Sequence, residues 1–312
     1  MHRFNFVLYR PIQLIPVLIG ISIVTFVLIH AIPGDPARLL LGAKATPEAI
    51  AAIHGKYGLD RPVAIQYFYF VANLIRGELG LSIIYRAPVL LVVVDRILPT
   101  LFLLIYAVML AVILSVVLGS TAAAYRGRPA DQAIRLFSTV GLGLPAFWLG
   151  IILMMVLSIG FGWFPVSGYG DDFLDRLHHL FLPAFTVALA MAPVLTRNLR
   201  ASLIAESTAD YVSAAKAKGL PRHVIFFHHI FRNSLIPTIN LLGVNVGWLI
   251  GGTVVVEAVF SVPGLGSLLV SSIFARDYLV VQAVTLILAL GVVATNFLVD
   301  IVTVALDPRI QP

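Results

Sequence analysis

The chain has 312 residues, 60% of them hydrophobic and 12% charged, with a mean hydropathy of +0.99 and a formal net charge of +6. Soluble domains carry about 25% charged residues to cover their surface, so a soluble globular protein is excluded and an integral membrane protein is indicated. The basic residues are scattered over short segments, which suits membrane topology rather than nucleic-acid binding. With no cysteine, a disulfide framework, an iron–sulfur cluster and a thiolate metal site are excluded too.

After a charged start (Arg3, Arg10), an apolar run covers Ile12–Ile32. It is long enough to cross a hydrocarbon core of about 30 Å and too long for the core of a signal peptide. No small-residue cleavage pattern follows, so it reads as a retained first span. Residues 33–97 are too polar to span and too rich in proline and glycine for one helix. Within them Pro47–His54 and Pro62–Leu74 read as short helices, with Pro62 at the first helical position. The aromatic run Tyr67, Phe68, Tyr69 and Phe70 suits a membrane interface. This stretch reads as a lid packed on the outer face, with a binding domain as the alternative.

Five further spans follow, at Leu98–Ala124, Ile134–Gly160, Leu180–Leu195, Leu235–Val256 and Val280–Leu306. Pro183 and Pro193 interrupt the fourth, which a membrane helix tolerates when neighbours satisfy the freed backbone groups. The chain thus divides into an N-terminal span (1–32), an extracytoplasmic loop (33–97) and a core of five spans (98–312). Six spans put both termini on one side. The side holding the termini and the 125–135 and 196–234 loops has twelve basic and five acidic residues, leaving nine basic and ten acidic elsewhere. The basic side is expected to be cytoplasmic. Asp300, near that end of the last span, is expected to pair with a basic loop residue.

The segment between the fourth and fifth spans carries the strongest local signal. From Ser202 to Lys218, Leu203, Ala205, Ala209, Val212 and Ala215 recur at spacings near three and four, the pattern of one helix. Gly219 and then Pro221 stop it in the order expected of a C-terminal cap. A second short helix, Arg222–Phe231, presents Phe226 and Phe227 before Pro237 opens the fifth span. A helix, a glycine turn and a second helix exceed what a topology loop needs, so a docking surface is favoured over a plain re-entry loop.

In the fifth span Gly243, Gly247 and Gly251 fall four apart, with Gly252 adjacent, a spacing that lets two membrane helices approach closely. That approach is either internal or at the pore or a partner-subunit seam. Asn245 and Thr253 in the same span are candidates for a polar path, since such groups face protein or water in a membrane. Glu257, just beyond, either pairs with Arg276 at an outer gate or is a solvated helix end. The pairs His178–His179 and His228–His229 do not share a helical face, so no metal site is expected. The sequence holds no phosphate-binding loop, no HExxH and no nucleophile elbow. No ATP binding or hydrolysis by this chain is therefore expected.

Ala214-Ala215-x-x-x-Gly219 resembles the core of the E-A-A-x-x-x-G cytoplasmic loop of ABC-transporter permeases. Asp210, Tyr211, Ala215, Ala217, Lys218 and Gly219, followed by His229, Arg232, Asn233 and Pro237, are similar to the form usual in the dipeptide/oligopeptide/nickel branch. Ser213 stands where the general pattern has glutamate, which removes one expected carboxylate contact. The resemblance extends over nearly the whole chain, through Ile32-Pro33-Gly34-Asp35-Pro36-Ala37, Gly58-Leu59-Asp60-Arg61-Pro62 with Gln66-Tyr67, and Gly80-Leu81-Ser82. It continues through Leu98-Pro99-Thr100, Pro145–Gly150, Phe260–Gly266, Arg276-Asp277-Tyr278 and Asp307-Pro308-Arg309-Ile310.

That resemblance implies an all-α polytopic membrane protein of about six transmembrane helices, with the type I ABC importer permease fold. It implies a non-catalytic subunit of the bacterial inner membrane, with both termini cytoplasmic. ATP and magnesium would be bound by two partner ATP-binding subunits. A homologous second permease would complete the path, and an extracytoplasmic substrate-binding protein would deliver cargo. Asp210, Tyr211, Ala214, Ala215, Lys218, Gly219 and Arg222, within a coupling loop at about 202–231, would meet the ATPases. Di- and oligopeptides are the leading cargo, with nickel, glutathione, opines or sugars as alternatives. An ion-coupled secondary transporter is the remote alternative; it would need acids inside several spans, and only Asp300 is near one.

Overall fold

A computed structural model describes residues 15–27, 46–57 and 60–306. The described residues are helical apart from connecting turns and an isolated Leu81–Pro88 bridge, as expected where a hydrocarbon solvent leaves the backbone to satisfy its own hydrogen bonds. In chain order the helices are α1 (Ile15–Val27), α2 (Pro47–Tyr57), α3 (Val63–Ile75), α4 (Val89–Ala124), α5 (Pro129–Gly143) and α6 (Ala146–Gly160). They continue with α7 (Phe173–Ser207), α8 (Asp210–Ala217), α9 (Arg222–Val259), α10 (Leu265–Phe274) and α11 (Tyr278–Leu306). The motifs at 32–37, 58–59 and 307–310 lie outside the described residues, as do Arg3, Arg10, Arg309 and the Asp300 side chain.

Among the described residues four helices, α4, α7, α9 and α11, are long and apolar enough to cross a membrane, and α5 with α6 make a fifth if that bent pair is one span. The expected straight span Ile134–Gly160 is corrected: its two halves meet at 110°. Leu144 is extended (φ −91°, ψ 128°) because Pro145 follows it, and a residue before proline is pushed out of the α region. The fourth expected span is a single helix, α7, despite Pro183 and Pro193. α4 starts at Val89, nine residues before the expected Leu98, and carries Pro99 inside it. Pro62 is the N-cap of α3 rather than its first helical residue.

The chain forms two compact units. The first takes residues 1–101 and 263–293. Its core is Val89, Val93, Leu265, Leu268, Val280, Ala283 and Val284. The aromatic run of α3 packs inward on α1: Phe26 meets Tyr67 edge-on at 5.5 Å, and the Tyr67 hydroxyl bonds Ser22 Oγ at 2.7 Å. Phe68 (71%) and Tyr69 of that run are exposed. Asp277, just before α11, accepts from Ser82 Oγ and from the Ile84 amide at 3.3 Å.

The second unit, residues 102–262 and 294–312, is built around α7. α5, α6 and α9 all pack on it, and three helices reach it at glycines. A methyl group on Gly119, Gly141 or Gly150 would press on Leu199, Pro193 or Thr186 respectively. Small residues at these crossings let the backbones approach closely, which is how membrane helices gain packing energy without a hydrophobic driving force.

Candidate functional site

The expected single helix over Ser202–Lys218 is corrected to two. α7 ends at Ser207, where the Ser207 and Thr208 hydroxyls donate back to the carbonyls of Ile204 (2.8 Å) and Ala205 (2.9 Å). Hydroxyls so placed compete with continued helix. Ala209 then turns extended (φ −70°, ψ 150°) and caps α8.

The short helix α8 ends in a Schellman turn. The Gly219 amide donates to the Lys216 carbonyl at 3.0 Å and the Leu220 amide to the Ala215 carbonyl at 3.2 Å. Gly219 has φ +76°, the left-handed conformation this motif requires, and open space lies around it. Backbone conformation rather than crowding therefore demands glycine here. Pro221 caps the next helix, which begins at Arg222.

Val212 and Ala215 are buried and join Leu199, Leu203, Ile225 and Ile230 in one apolar core. Ala215, expected among the docking residues, therefore faces inward and positions α8 on α7 and α9. The opposite side of α8 exposes Asp210, Tyr211, Ala214 and Lys218, with Gly219 and Arg222 exposed beyond it. Tyr211 donates to the Glu206 carboxylate and accepts from Asn233 Nδ2 at 3.3 Å. One phenol thus ties the end of α7, α8 and the start of α9. Burial, and then the Glu206 carboxylate, push its pKa up from the ordinary phenol value, so it stays a donor.

The expected separate helix Arg222–Phe231 is corrected as well. It runs without a break into the fifth span as α9, with a π-helical stretch at Ile225–Phe231 and Pro237 inside the rod. Displacing the segment would therefore act directly on a membrane helix.

One buried ion pair was not legible in the sequence. Asp131, 1% exposed, receives Arg200 Nε at 2.6 Å and its Nη2 at 2.7 Å, and the Gly127 amide at 2.9 Å. A bidentate, buried pair locks α5 to α7. Its only sequence signal is an acid in the first turn of a helix within an otherwise basic loop.

The fifth-span candidates are placed differently from one another. Asn245 Nδ2 donates to its own helix, to the Leu241 carbonyl at 2.7 Å. Thr253 is buried and donates to the Ile250 carbonyl at 3.0 Å. Glu257 is fully buried, which overturns the solvated-end alternative. The glycines divide too. Gly243 faces Val299 so closely that a methyl group would overlap it, whereas Gly251 and Gly252 face open space. Val244 (71% exposed), Trp248 (72%) and Val255 flank these open glycines along one stripe of α9.

An exposed helix–glycine–helix segment thus runs without a break into a helix long and apolar enough to cross a membrane. Residues 115–312 match the family described as "Binding-protein-dependent transport system inner membrane component", and residues 3–104 match its N-terminal family. The chain belongs to this family and is a permease subunit of an ABC importer. It is a multi-pass component of the inner membrane, working with ATPase and binding-protein components. It is 37% identical over 307 residues to the glutathione transport system permease protein GsiC of Salmonella choleraesuis (strain SC-B67), covering 98% of this chain and 99% of that one. It is 38% identical to GsiC of Escherichia coli (strain K12) over the same length. A solved structure titled "Crystal structure of an amino acid ABC transporter with histidines" shares the fold, with TM-score 0.51 and 13% identity over 68% of this chain and 92% of that chain.

Proposed function

We propose that this chain forms half of the translocation path of an importer of short peptides, glutathione among them. Two ATP-binding partner subunits, holding ATP and magnesium, would drive it through the exposed face of Asp210, Ala214, Lys218 and Arg222. The observation that carries this is the linkage of α8. Its inner face is fixed by an apolar core, its end by the Gly219 turn, and its Tyr211 bonds to α7 and α9. A push on the outer face is then transmitted to two spans rather than absorbed by a loose loop. The ATPases must bind this face differently in their open and closed states, because only differential binding shifts a conformational equilibrium. Ala214 leaves room for a close-fitting groove, and Lys218 and Arg222 suit acidic rims.

The resulting mechanism is alternating access. A binding protein delivers cargo at the outer side, and the spans rock about a path shared with a second, homologous permease. The stripe Val244, Trp248, Gly251, Gly252 and Val255 is the seam proposed for that second permease. Both termini would lie in the cytoplasm, following the charge bias. The cargo rests on likeness over the whole chain to permeases named for glutathione, itself a tripeptide. Di- and oligopeptides belong to the same chemical class; nickel, opines and sugars do not.

Uptake of labelled glutathione and of a labelled dipeptide by cells carrying the complete importer tests both parts. Uptake of either is expected, and Gly219→Trp should abolish it while the chain still inserts. Failure to take up either compound overturns the cargo. Unimpaired uptake by Gly219→Trp overturns the coupling role.

A further inference from the structure

Besides the α8 segment, the basic side holds a feature that coupling does not use. A cavity of about 660 Å³ lies among α5, α7 and α9. On α5 its lining falls at Arg135, Thr139 and Leu142, and on α7 at Val194, Arg197, Asn198 and Ala201. These are spacings of three, four and seven, so each helix gives one face to the cavity. Arg200 also lines it, but its guanidinium is held by Asp131. Those of Arg135 and Arg197 make no hydrogen bond or ion pair within the described residues, although the charge of Arg135 is felt at Asp131. Three arginines against one aspartate leave an excess of positive charge in this open-mouthed cavity.

The lining is graded along the helices. Arg135 and Arg197 lie towards the basic ends of α5 and α7. Leu142 lies seven residues deeper on α5 and Val194 three residues deeper on α7, with Leu241 of α9 completing the apolar part. At 1.5 Å per residue, the α5 gradient alone covers about 10 Å. A small inorganic anion would use only the charged end. A molecule with an anionic head and an apolar body would use all of it.

We propose that this cavity holds an anionic phospholipid of the cytoplasmic leaflet, its phosphate between Arg135 and Arg197 and its upper acyl chain against Leu142, Val194 and Leu241. Basic pockets between membrane helices on the cytoplasmic side bind such headgroups. The proposal rests on the orientation given under the proposed function, but its test reads lipid binding and not uptake, so each can fail alone. The bound lipid would fasten α5 to α7 beside the Asp131–Arg200 pair.

The full chain, purified in detergent, is incubated with a mixture of phosphatidylglycerol and phosphatidylcholine, and retained lipid is counted by native mass spectrometry. Selective retention of phosphatidylglycerol is expected. R135Q/R197Q should weaken it on the order of 30-fold, since each such charge is worth roughly a factor of five. R135K/R197K, which keeps the charge, should retain most of it, and Arg126→Gln, an exposed arginine outside the cavity, should retain all of it. R135Q/R197Q must melt within a few degrees of the parent; if it does not, the charge-preserving pair against Leu142→Gln, which spoils only the apolar end, supplies the comparison. Equal retention by parent and R135Q/R197Q, or by R135K/R197K and Leu142→Gln where that comparison applies, overturns the proposal. So does inorganic phosphate that displaces the lipid at millimolar concentration, because the site would then be one for a soluble anion.

Discussion

Gly219 and Asp131 show how single residues fix local structure, the first in the proposed coupling segment and the second between α5 and α7. Gly219 occupies φ +76° in open space, so any side chain there meets strain and no clash. Gly219→Ala should cost about 1 kcal/mol locally and lower uptake severalfold, with the amount of inserted chain unchanged, as an uptake assay normalised to membrane content would read. Asp131→Ala should be worse for the fold. It strands Arg200, whose side chain is 21% exposed, and removes the acceptor of the Gly127 amide. Loss of one partner from a buried ion pair costs about 3–5 kcal/mol, and access of Arg200 to water places this case near 3. Thermal unfolding of the detergent-purified chain should show the loss, while Asp131→Asn, which keeps the Gly127 bond, should fall between. Gly219 was legible because glycine before proline at the end of an amphipathic pattern has one backbone meaning. The Asp131–Arg200 pair was not, because 69 residues separate its members and no local period links them.

Among the elements, α9 divides its glycines between two tasks. Gly243 is filled by Val299 and serves packing inside one chain, whereas Gly251 faces open space. Gly243→Ala should therefore destabilise the chain by about 1–3 kcal/mol through overpacking, again read by thermal unfolding. Gly251→Ala should leave stability unchanged and impair uptake or recovery of the second permease. If it leaves both intact, the stripe with Val244 and Trp248 is lipid-facing and no seam. The spacing of four was visible in the sequence, but Gly243 meets Val299, 56 residues away on another helix. The same limit explains the third span. Its apolar length was legible, whereas the 110° bend came from the backbone restriction that Pro145 places on Leu144. α8 separates from α7 for a similar reason: the apolar period continues through Ser207 and Thr208, but their hydroxyls take the carbonyls that a continuing helix would use.

For the whole molecule, composition was sufficient to define a polytopic helical membrane protein, and ordered motifs were sufficient to point to its family. In the proposed function the chain's task is mechanical. α8 has an inner face fixed to α7 and α9 and an outer face exposed, and α9 continues unbroken for 38 residues from that segment into a membrane span. That continuity could not be read from a sequence in which Pro237 looked like a boundary. The most direct measurement is recovery of the ATP-binding subunits with this chain from membranes carrying the complete importer, comparing the parent with Ala214→Glu and Lys218→Glu. Both changes lie on the exposed face and leave the Val212–Ala215 core untouched, so insertion and thermal stability should hold while recovery of the ATPases and uptake fall at least about tenfold, as loss of about 1.4 kcal/mol or more of binding would give. Full recovery of the ATPases together with parental uptake in both variants would contradict the coupling role of α8.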